Sequence, residues 1–381
     1  MIPFINIRAQ RDAYKSEFLK AEQEVLDSGC YIGGPAVKAL EAELAAFTGA
    51  KHVVTCGSGT DALTIALMAL GLEPEDEVIV PDFTFIAPAE CVTRLGGIPK
   101  FADINPETLQ ISPESIEARI SEKTRGIIAV NLFGQCPDYK KIKECAQAHG
   151  LWLIEDSAQA FGATQCGQNA CTFGEISITS FYPAKPLGCY GDGGALFTAD
   201  EELAEKIRLI ANHGSSTRYV HEICGLNSRL DAIQAAVLRV KLKHLDEELK
   251  MRCENARKYN EFFADYNNAT GSANGAKIVP QKIAEGNTST YAQYTLLVEN
   301  RETFLKQLEH AKIPYCIHYP APLHEQPCFK DFVQSREAVS NNASRDYIAS
   351  NAAKASQKVV SLPFCAFTDV DEIITRLKKV M

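Results

Sequence analysis

The sequence predicts an α/β protein, with a mostly parallel sheet in a large domain and a smaller α+β domain after it. Three observations favour this fold class. Apolar runs of strand length alternate with helical stretches from residue 52 onward, which is typical of a parallel sheet covered on both faces. The 381 residues, 46% of them hydrophobic, suffice for a large core and two domains. From about residue 255 the composition becomes more polar.

Two amphipathic helices are predicted before the sheet. Apolar side chains recur at helical spacing over residues 7–28, and a turn at residues 28–35 with three glycines ends that helix. A second helix is predicted over residues 37–47.

The large domain is predicted to hold seven strands. They are residues 52–56, 77–81, 100–104, 126–133, 152–156, 176–181 and 195–198. Helices are predicted over residues 87–95, 112–120, 139–149, 201–213 and 230–251. The last of these helices leads to the smaller domain, so we predict a large domain over residues 1–250 and a small one over residues 251–381.

The small domain is predicted to combine a few short strands with flanking helices. The strands are residues 276–280, 290–298 and 315–319, with a helix over residues 302–311 between the last two. The polar stretch at residues 335–350 is predicted to be exposed.

Composition excludes several classes of protein. The formal net charge is −9, from 39 basic and 48 acidic residues, so a nucleic-acid partner is not expected. No stretch has the roughly eighteen apolar residues of a membrane span, and the first residues do not resemble a signal peptide. The 13 cysteines are scattered, without a C-x-x-C pair, which argues against disulfides and a metal site. Free thiols in this number suit the cytoplasm.

A lysine between two predicted strands is the first candidate for catalysis. Lys185 follows the apolar run at residues 176–179 and precedes a glycine-rich turn at residues 188–194. Desolvation lowers the pKa of a buried lysine and makes its neutral amine a nucleophile, as a Schiff-base enzyme requires. The alternative is a loop lysine whose ammonium group reaches water.

Two further features precede this lysine. Asp156 ends an apolar strand, where it could pair with the protonated ring nitrogen of pyridoxal phosphate or simply cap the next helix. The stretch at residues 56–62, which contains Gly59 and Thr60, joins a strand to a helix. Its glycines could form an anion site at the helix N-terminus, although it matches neither a Walker loop nor a dinucleotide fingerprint.

These features occur in the order anion loop, acid and lysine. With the stretches at residues 2–5, 31–35 and 361–363, the sequence resembles the DegT/DnrJ/EryC1/StrS family of pyridoxal-phosphate sugar aminotransferases over nearly its whole length. The resemblance implies a type I aminotransferase fold, with a seven-stranded mostly parallel sheet and a small α+β C-terminal domain. It also implies pyridoxal 5'-phosphate as the cofactor and pyridoxamine 5'-phosphate as the form that carries the amino group.

The resemblance implies a role for each matching residue. Lys185 would form the Schiff base and move protons, and Asp156 would hold the ring nitrogen protonated. The other implied cofactor contacts are Gln159 at the 3-hydroxyl, Gly59, Thr60 and Ser180 at the phosphate, Phe85 stacked on the ring, and Asn227 reaching the phosphate from a partner subunit. The protein is therefore expected to be a homodimer with shared active sites.

Some stretches are similar to one branch of the family. Residues 185–194, 291–295 and 318–320 resemble enzymes that aminate C3 of UDP-linked 2-acetamido-2-deoxy-3-oxo-glucuronate for surface polysaccharides such as O-antigen. L-glutamate would donate the amino group. Arg229 would anchor a carboxylate, unless it pairs with an acid such as Asp231, and His318 and Tyr319 would line the sugar side.

Other functions stay open at this point. They are the amination of another 3- or 4-keto nucleotide sugar, a sugar dehydratase, and a regulatory relative without turnover. The dehydratase branch carries His where Lys185 stands, and the regulatory reading conflicts with an intact set of cofactor residues. A nucleotide-binding α/β protein without the cofactor is the remaining alternative.

Overall fold

The computed structural model describes residues 2–270, 277–330 and 350–381. It begins with three helices, α1 (Ile7–Ala13), α2 (Lys15–Ser28) and α3 (Gly34–Thr48). The single helix predicted over residues 7–28 is therefore two helices. The break is at Tyr14, whose φ of −113° and ψ of 20° lie outside helical geometry.

A seven-stranded sheet forms the centre of the large domain. Nine strands occur between residues 52 and 198: β1 (His52–Cys56), β2 (Glu77–Pro81), β3 (Ile98–Ala102), β4 (Thr124–Val130), β5 (Trp152–Asp156), β6 (Thr164–Gln165), β7 (Gln168–Asn169), β8 (Ile176–Ser180) and β9 (Gly194–Thr198). The sheet order is β1-β9-β8-β5-β4-β2-β3, and β6 and β7 form a separate hairpin. Only β9 runs antiparallel to its neighbours in the sheet. The predicted mostly parallel sheet is confirmed, with β3 beginning two residues earlier than predicted.

Helices cover both faces of this sheet. They are α4 (Gly59–Ala69), α5 (Ala87–Arg94), α6 (Pro113–Glu117), α7 (Tyr139–His149) and α8 (Glu201–Ala211). Alternate strand residues enter different cores: Val78 and Val80 pack with α4 and α5, and Ile79 packs with α7. Because both faces of the sheet are buried, the centre of β2, Val78–Val80, is an unbroken apolar run in the sequence.

The helix α9 (Ala232–Thr270) is much longer than the helix predicted over residues 230–251. The composition turns polar beyond residue 251, but apolar residues continue at helical spacing through Ala256, Tyr259 and Phe263. These three side chains belong to the core of the small domain, whereas the first half of α9 packs on α2 and α3. One continuous helix thus crosses residue 250, where the sequence places the domain boundary.

The small domain contains a three-stranded antiparallel sheet. Its strands are β12 (Ile278–Pro280), β13 (Tyr294–Val298) and β14 (Val359–Leu362), and its helices are α10 (Arg301–His310), α11 (Asn351–Lys358) and α12 (Val370–Leu377). A separate hairpin, β10 (Ser215–Thr217) and β11 (Val220–His221), precedes α9 in the chain. The strand predicted over residues 315–319 is wrong, because this stretch makes only an isolated bridge between Cys316 and Ser361. The flanking Pro314 and Pro320 have no N–H to extend a ladder.

The predictions for the polar stretch at residues 335–350 and for membrane spans can be compared with the described residues. Residues 335–349 of the polar stretch lie outside the described residues, and Ser350 is buried and caps α11. Within residues 2–270, 277–330 and 350–381, no helix has the length and apolar character that crossing a bilayer requires.

Candidate active site

A cavity of about 560 Å³ lies where the parallel strands end. The ends of β1, β2, β4, β5 and β8 contribute to it, which is where ligands bind in open α/β sheets. Nine of the residues singled out from the sequence line it: Gly59, Thr60, Phe85, Asp156, Gln159, Ser180, Lys185, His318 and Tyr319. Residues separated by as much as 260 positions in sequence therefore share one chamber.

An anion cradle forms at the first turn of α4. Ser58 caps this helix by accepting a hydrogen bond from the Asp61 N–H at 3.0 Å. The amides of Gly59 and Thr60 then lie in the first turn, where helical N–H groups have no partner four residues earlier. A Cβ on Gly59 would lie 2.6 Å from the Cβ of Ser180. Glycine here lets the Ser180 hydroxyl lie against the helix end.

Asp156 is a buried acid in the cavity wall. Burial raises the pKa of its carboxyl to about 6, although a 2.9 Å hydrogen bond from the Ala158 N–H and the nearby Lys185 both lower it. The adjacent carboxylate of Glu155 raises it further. Because ionised Asp156 is poorly compensated by the chain alone, it is suited to bind a cation in the cavity.

The neighbouring acid, Glu155, is bound in a different way. Its carboxylate accepts five hydrogen bonds of 2.6–2.9 Å, from Asn131, Ser157, Cys171, Phe173 and Ser177. These donors hold Glu155 as a buried carboxylate that ties β5 to the loop before β8. The contrast leaves Asp156 as the acid available to a ligand.

Lys185 follows β8 and lies in the same wall as Asp156. Its backbone N–H donates to the carbonyl oxygen of Tyr182 at 2.9 Å, which fixes a tight turn. Burial lowers the pKa of its ammonium group, and the Asp156 charge partly opposes this shift. A lowered pKa increases the share of neutral amine near neutral pH, so the side chain can act as a nucleophile and a base.

Gln159 and Tyr319 close one side of the cavity. The Gln159 Oε1 accepts a hydrogen bond from the Phe133 N–H at 2.7 Å, and its Nε2 donates to the Tyr319 hydroxyl at 3.3 Å. The Gln159 amide is thereby held with its NH₂ group on the Tyr319 side. The Phe85 ring lies 6.4 Å from the Tyr319 ring and is 53% exposed, which leaves an apolar face for a planar ligand.

His318 lies beside Tyr319 in the same wall. Its Nδ1 is 2.9 Å from the Oγ of Ser361. Burial and the positive charge of Lys185 lower the pKa of the imidazole to about 4. The ring is therefore neutral near pH 7 and offers a hydrogen bond rather than a charge.

A buried pair joins the two segments that carry Phe85 and Tyr319. The Asp82 carboxylate is 2.7 Å from the His324 Nδ1 and accepts a second bond from the His324 N–H at 3.0 Å. The Asp82 carbonyl oxygen also accepts a 2.7 Å bond from the Leu323 N–H. The loop after β2 is thus fixed to the segment that follows Tyr319.

Asn227 and Arg229 lie outside this cavity. Both are exposed, and the Arg229 guanidinium donates to the Oδ1 atoms of Asn227 at 2.6 Å and Asn212 at 3.4 Å. Arg229 instead lines a second cavity, of about 610 Å³. The Arg229 guanidinium thus donates to amide oxygens rather than to the Asp231 carboxylate. Within one chain, Asn227 and Arg229 therefore do not reach the cavity that the other nine predicted site residues line.

Sequence reasoning did not assign several residues of the cavity wall. They are Ser58, Thr84, Tyr182, Asp192 and Gln293. Ser58 could have been found as the helix cap before Gly59. Thr84 lies between Phe83 and Phe85, and no local pattern marks it as a cavity residue. Gln293 lies in the stretch at residues 291–295 that resembles one branch of the family, but that resemblance assigned it no role.

The donors in the cavity fit pyridoxal phosphate part by part. The α4 cradle fits its phosphate, Asp156 its protonated ring nitrogen, Phe85 its ring face and Lys185 its aldehyde carbon. At Gly59 a Cβ would collide with Ser180. The absence of a side chain at this position is consistent with a site that makes close contact with an anion.

Comparison with known proteins identifies a matching family and similar structures. The model of the DegT/DnrJ/EryC1/StrS aminotransferase family matches residues 12–378. The UDP-2-acetamido-2-deoxy-3-oxo-D-glucuronate aminotransferase of Pseudomonas aeruginosa is 43% identical over 98% of both chains. The UDP-N-acetyl-3-dehydro-α-D-glucosamine 3-aminotransferase of Acidithiobacillus ferrooxidans is 38% identical over 95% of this chain and 92% of its own. The structure of NtdA from Bacillus subtilis with bound PMP superposes with a TM-score of 0.85, at 30% identity, over 97% of this chain and 82% of that one.

Proposed function

Because this chain belongs to the DegT/DnrJ/EryC1/StrS aminotransferase family, whose cofactor is pyridoxal phosphate, we propose that it aminates a UDP-linked 3-oxo sugar. The proposed amino donor is L-glutamate. The proposed acceptor is UDP-2-acetamido-2-deoxy-3-oxo-glucuronate, and the similarity to the Pseudomonas aeruginosa enzyme supports this choice.

One observation carries the proposal: a desolvated lysine and a buried acid share a cavity with an anion cradle. Lys185 has a lowered pKa, Asp156 a raised one, and Gly59 begins the helix whose N-terminus lies beside them. A dehydratase of the family would have His in place of Lys185. A regulatory protein without turnover would not need a lysine with a lowered pKa and an acid with a raised pKa in one cavity.

Each polar group in the wall has a task in the proposed reaction. The bound cofactor supplies an electron sink next to the reacting carbon. Lys185 would hold the cofactor, and its Nζ as a free amine would move a proton to and from the reacting carbon. Asp156 would hold a proton on the ring nitrogen, and the neutral His318 would contribute a hydrogen bond near the sugar.

A homodimer would complete the site. The carboxylate and the diphosphate of the proposed substrate need cations, but within the described residues the cavity lining includes no arginine. Arg229 lines a cavity together with Ser215 and Ser216 of the β10–β11 hairpin, in which Tyr219 is 81% and Val220 51% exposed. We propose that a second copy covers these two exposed apolar side chains and receives Arg229 and Asn227 into its own cavity.

The spectrum of the bound cofactor tests the reaction. Wild-type protein is titrated with glutamate and then with the 3-oxo sugar, beside Lys185→Ala. We expect glutamate to bleach the visible band of the wild type and the sugar to restore it, while Lys185→Ala does neither. If glutamate bleaches the band and the sugar never restores it, the proposed acceptor is wrong. If glutamate leaves the band unchanged, the protein is not a glutamate-dependent aminotransferase.

Mixing two inactive variants tests the shared site. Lys185→Ala and Arg229→Ala are purified separately and allowed to exchange subunits. If Arg229 serves the partner's cavity, each mixed dimer contains one site with both residues intact, and activity returns to about a quarter of the wild-type value. If Arg229 serves its own chain, mixing restores nothing.

We also place the reaction in the cytoplasm, before the assembly of a surface polysaccharide such as O-antigen. The thirteen cysteines, scattered along the sequence without a C-x-x-C pair, support a reducing compartment. A nucleotide-linked acceptor would fit the same place. Fractionation of cells, followed by analysis of their surface polysaccharide for a 3-amino sugar with and without this protein, tests both statements.

A further inference from the structure

Two buried polar atoms in the cavity wall have no partner within the described part of the chain. They are the Oγ1 of Thr84 and the Oε1 of Gln293. Thr84 is only 3% exposed, and both residues line the cavity that contains Lys185. Buried polar groups are nearly always hydrogen-bonded, because an unpaired one loses its bonds to water without replacement. Two such atoms in one ligand cavity indicate that the ligand supplies the missing partners.

The two atoms come from segments other than the anion cradle at the start of α4. Thr84 precedes Phe85, whose ring lies 6.4 Å from that of Tyr319. Gln293 leads into β13, whose Thr295 contacts Ser361 at 2.9 Å, and Ser361 in turn contacts His318 at 2.9 Å. Both residues therefore lie in segments that contact His318 or Tyr319, where the proposed function places the sugar.

The hydrogen-bonding capacity of Thr84 and Gln293 restricts the kind of ligand group that can bind both. The Thr84 hydroxyl can donate a hydrogen bond, and the Gln293 Oε1 can only accept one. A carboxylate or a phosphate could satisfy Thr84 but would leave Gln293 facing another acceptor. A secondary amide carries one N–H donor and one carbonyl acceptor on adjacent atoms, so it can satisfy both.

We propose that Thr84 and Gln293 form a subsite for the acetamido group at C2 of the substrate sugar. The Thr84 hydroxyl donates to the acetamido oxygen, and the acetamido N–H donates to the Gln293 Oε1. This inference rests on the proposed function, since it assumes a nucleotide sugar in the cavity. It adds the group by which the enzyme distinguishes a 2-acetamido sugar from a 2-hydroxy sugar.

Binding of two unreactive ligands tests the subsite. UDP-N-acetylglucosamine and UDP-glucose differ at C2, and neither carries the 3-oxo or 3-amino group that the reaction needs. Calorimetry on the cofactor-loaded protein gives the ratio of their Kd values. We expect the wild type to favour UDP-N-acetylglucosamine by at least about tenfold, and Thr84→Val or Gln293→Met to lower that ratio by about tenfold each.

Two further variants separate the hydroxyl from packing. Thr84→Ser keeps the hydroxyl and should keep the ratio. Thr93→Val is the matched control, because the Thr93 hydroxyl donates to the Ala89 carbonyl oxygen within α5, and Thr93 does not line the cavity. Thr93→Val should also keep the ratio.

The outcomes distinguish this inference from the proposed function. Equal binding of both ligands, or a ratio unchanged by Thr84→Val and Gln293→Met, overturns the acetamido subsite while leaving a nucleotide-sugar site intact. A loss of pyridoxal phosphate affinity in these variants overturns it too, since the pair would then serve the cofactor. If neither ligand binds the wild type, the subsite and the nucleotide-sugar assignment both fail.

Discussion

Replacing Asp156 with Asn should stabilise the cofactor-free protein at alkaline pH. The folded structure raises the pKa of this carboxyl from 3.8 to about 6, mainly through burial. Each pKa unit corresponds to about 1.4 kcal/mol, so the ionised carboxylate costs about 3 kcal/mol of unfolding free energy. Asn has a similar shape and no charge to desolvate, so Asp156→Asn removes that cost.

The sign of the pH dependence follows from the raised pKa. Protonated Asp156 contributes stability that is fully present below pH 3.8 and is lost as the pH rises through about 6. Asp156→Asn should therefore be only about 1 kcal/mol more stable than the wild type at pH 4.5, where the unfolded Asp156 is already mostly ionised and the folded one is still protonated. At pH 8 it should be the more stable protein, by about 3 kcal/mol.

Urea unfolding of the cofactor-free protein at pH 4.5 and pH 8 provides the measurement. Asp265→Asn, an exposed acid on α9, is the matched control and should show no such pH-dependent gain. Loading with pyridoxal phosphate should reverse the order at pH 8, because the protonated ring nitrogen then compensates the Asp156 charge. A difference between wild type and Asp156→Asn that is the same at both pH values would refute the reasoning.

Substitutions at Gly59, His324 and His318 should change stability, cofactor binding or turnover. Gly59→Ala should cost about 1–3 kcal/mol of unfolding free energy and weaken pyridoxal phosphate binding in a fluorescence titration, since its Cβ would lie 2.6 Å from the Cβ of Ser180. His324→Leu should lower the unfolding free energy in urea by about 3 kcal/mol, because it removes the imidazole partner of the buried Asp82 carboxylate. His318→Gln should raise KM for the sugar without moving the acidic limb of the pH–rate profile between pH 6 and 8, because the pKa of His318 is about 4.

Each of these has a clear contrary result. Wild-type cofactor affinity in Gly59→Ala would mean that the helix end and β8 can separate without loss. An unchanged unfolding free energy in His324→Leu would mean that the backbone donors alone satisfy Asp82. A shifted acidic limb in His318→Gln would show that this imidazole titrates in the working range.

Much of the fold could be predicted from the sequence because its signals are local. Seven buried strands are visible as apolar runs, since parallel strands covered on both faces need apolar side chains on both sides. Two secondary-structure predictions, the end of α9 and the strand at residues 315–319, were wrong because local composition did not reflect how these segments pack. Beyond residue 251 the polar surface of α9 hid the apolar spacing of Tyr259 and Phe263, and the β-prone residues 315–319 lie beside β14 without joining it.

The sequence by itself predicted the chemistry from a lysine after one strand, an acid at the end of another and a glycine at a helix start, each marked by its neighbours. Only the tertiary structure decided which residues share a chamber. It brought His318 and Tyr319 to Lys185, left Arg229 outside, and exposed Thr84 and Gln293 as unpaired atoms in the wall. The physical reason is that a sequence motif reflects the local backbone conformation. Which side chains lie close together, and which polar atoms lack a hydrogen-bond partner, depends on how distant segments pack.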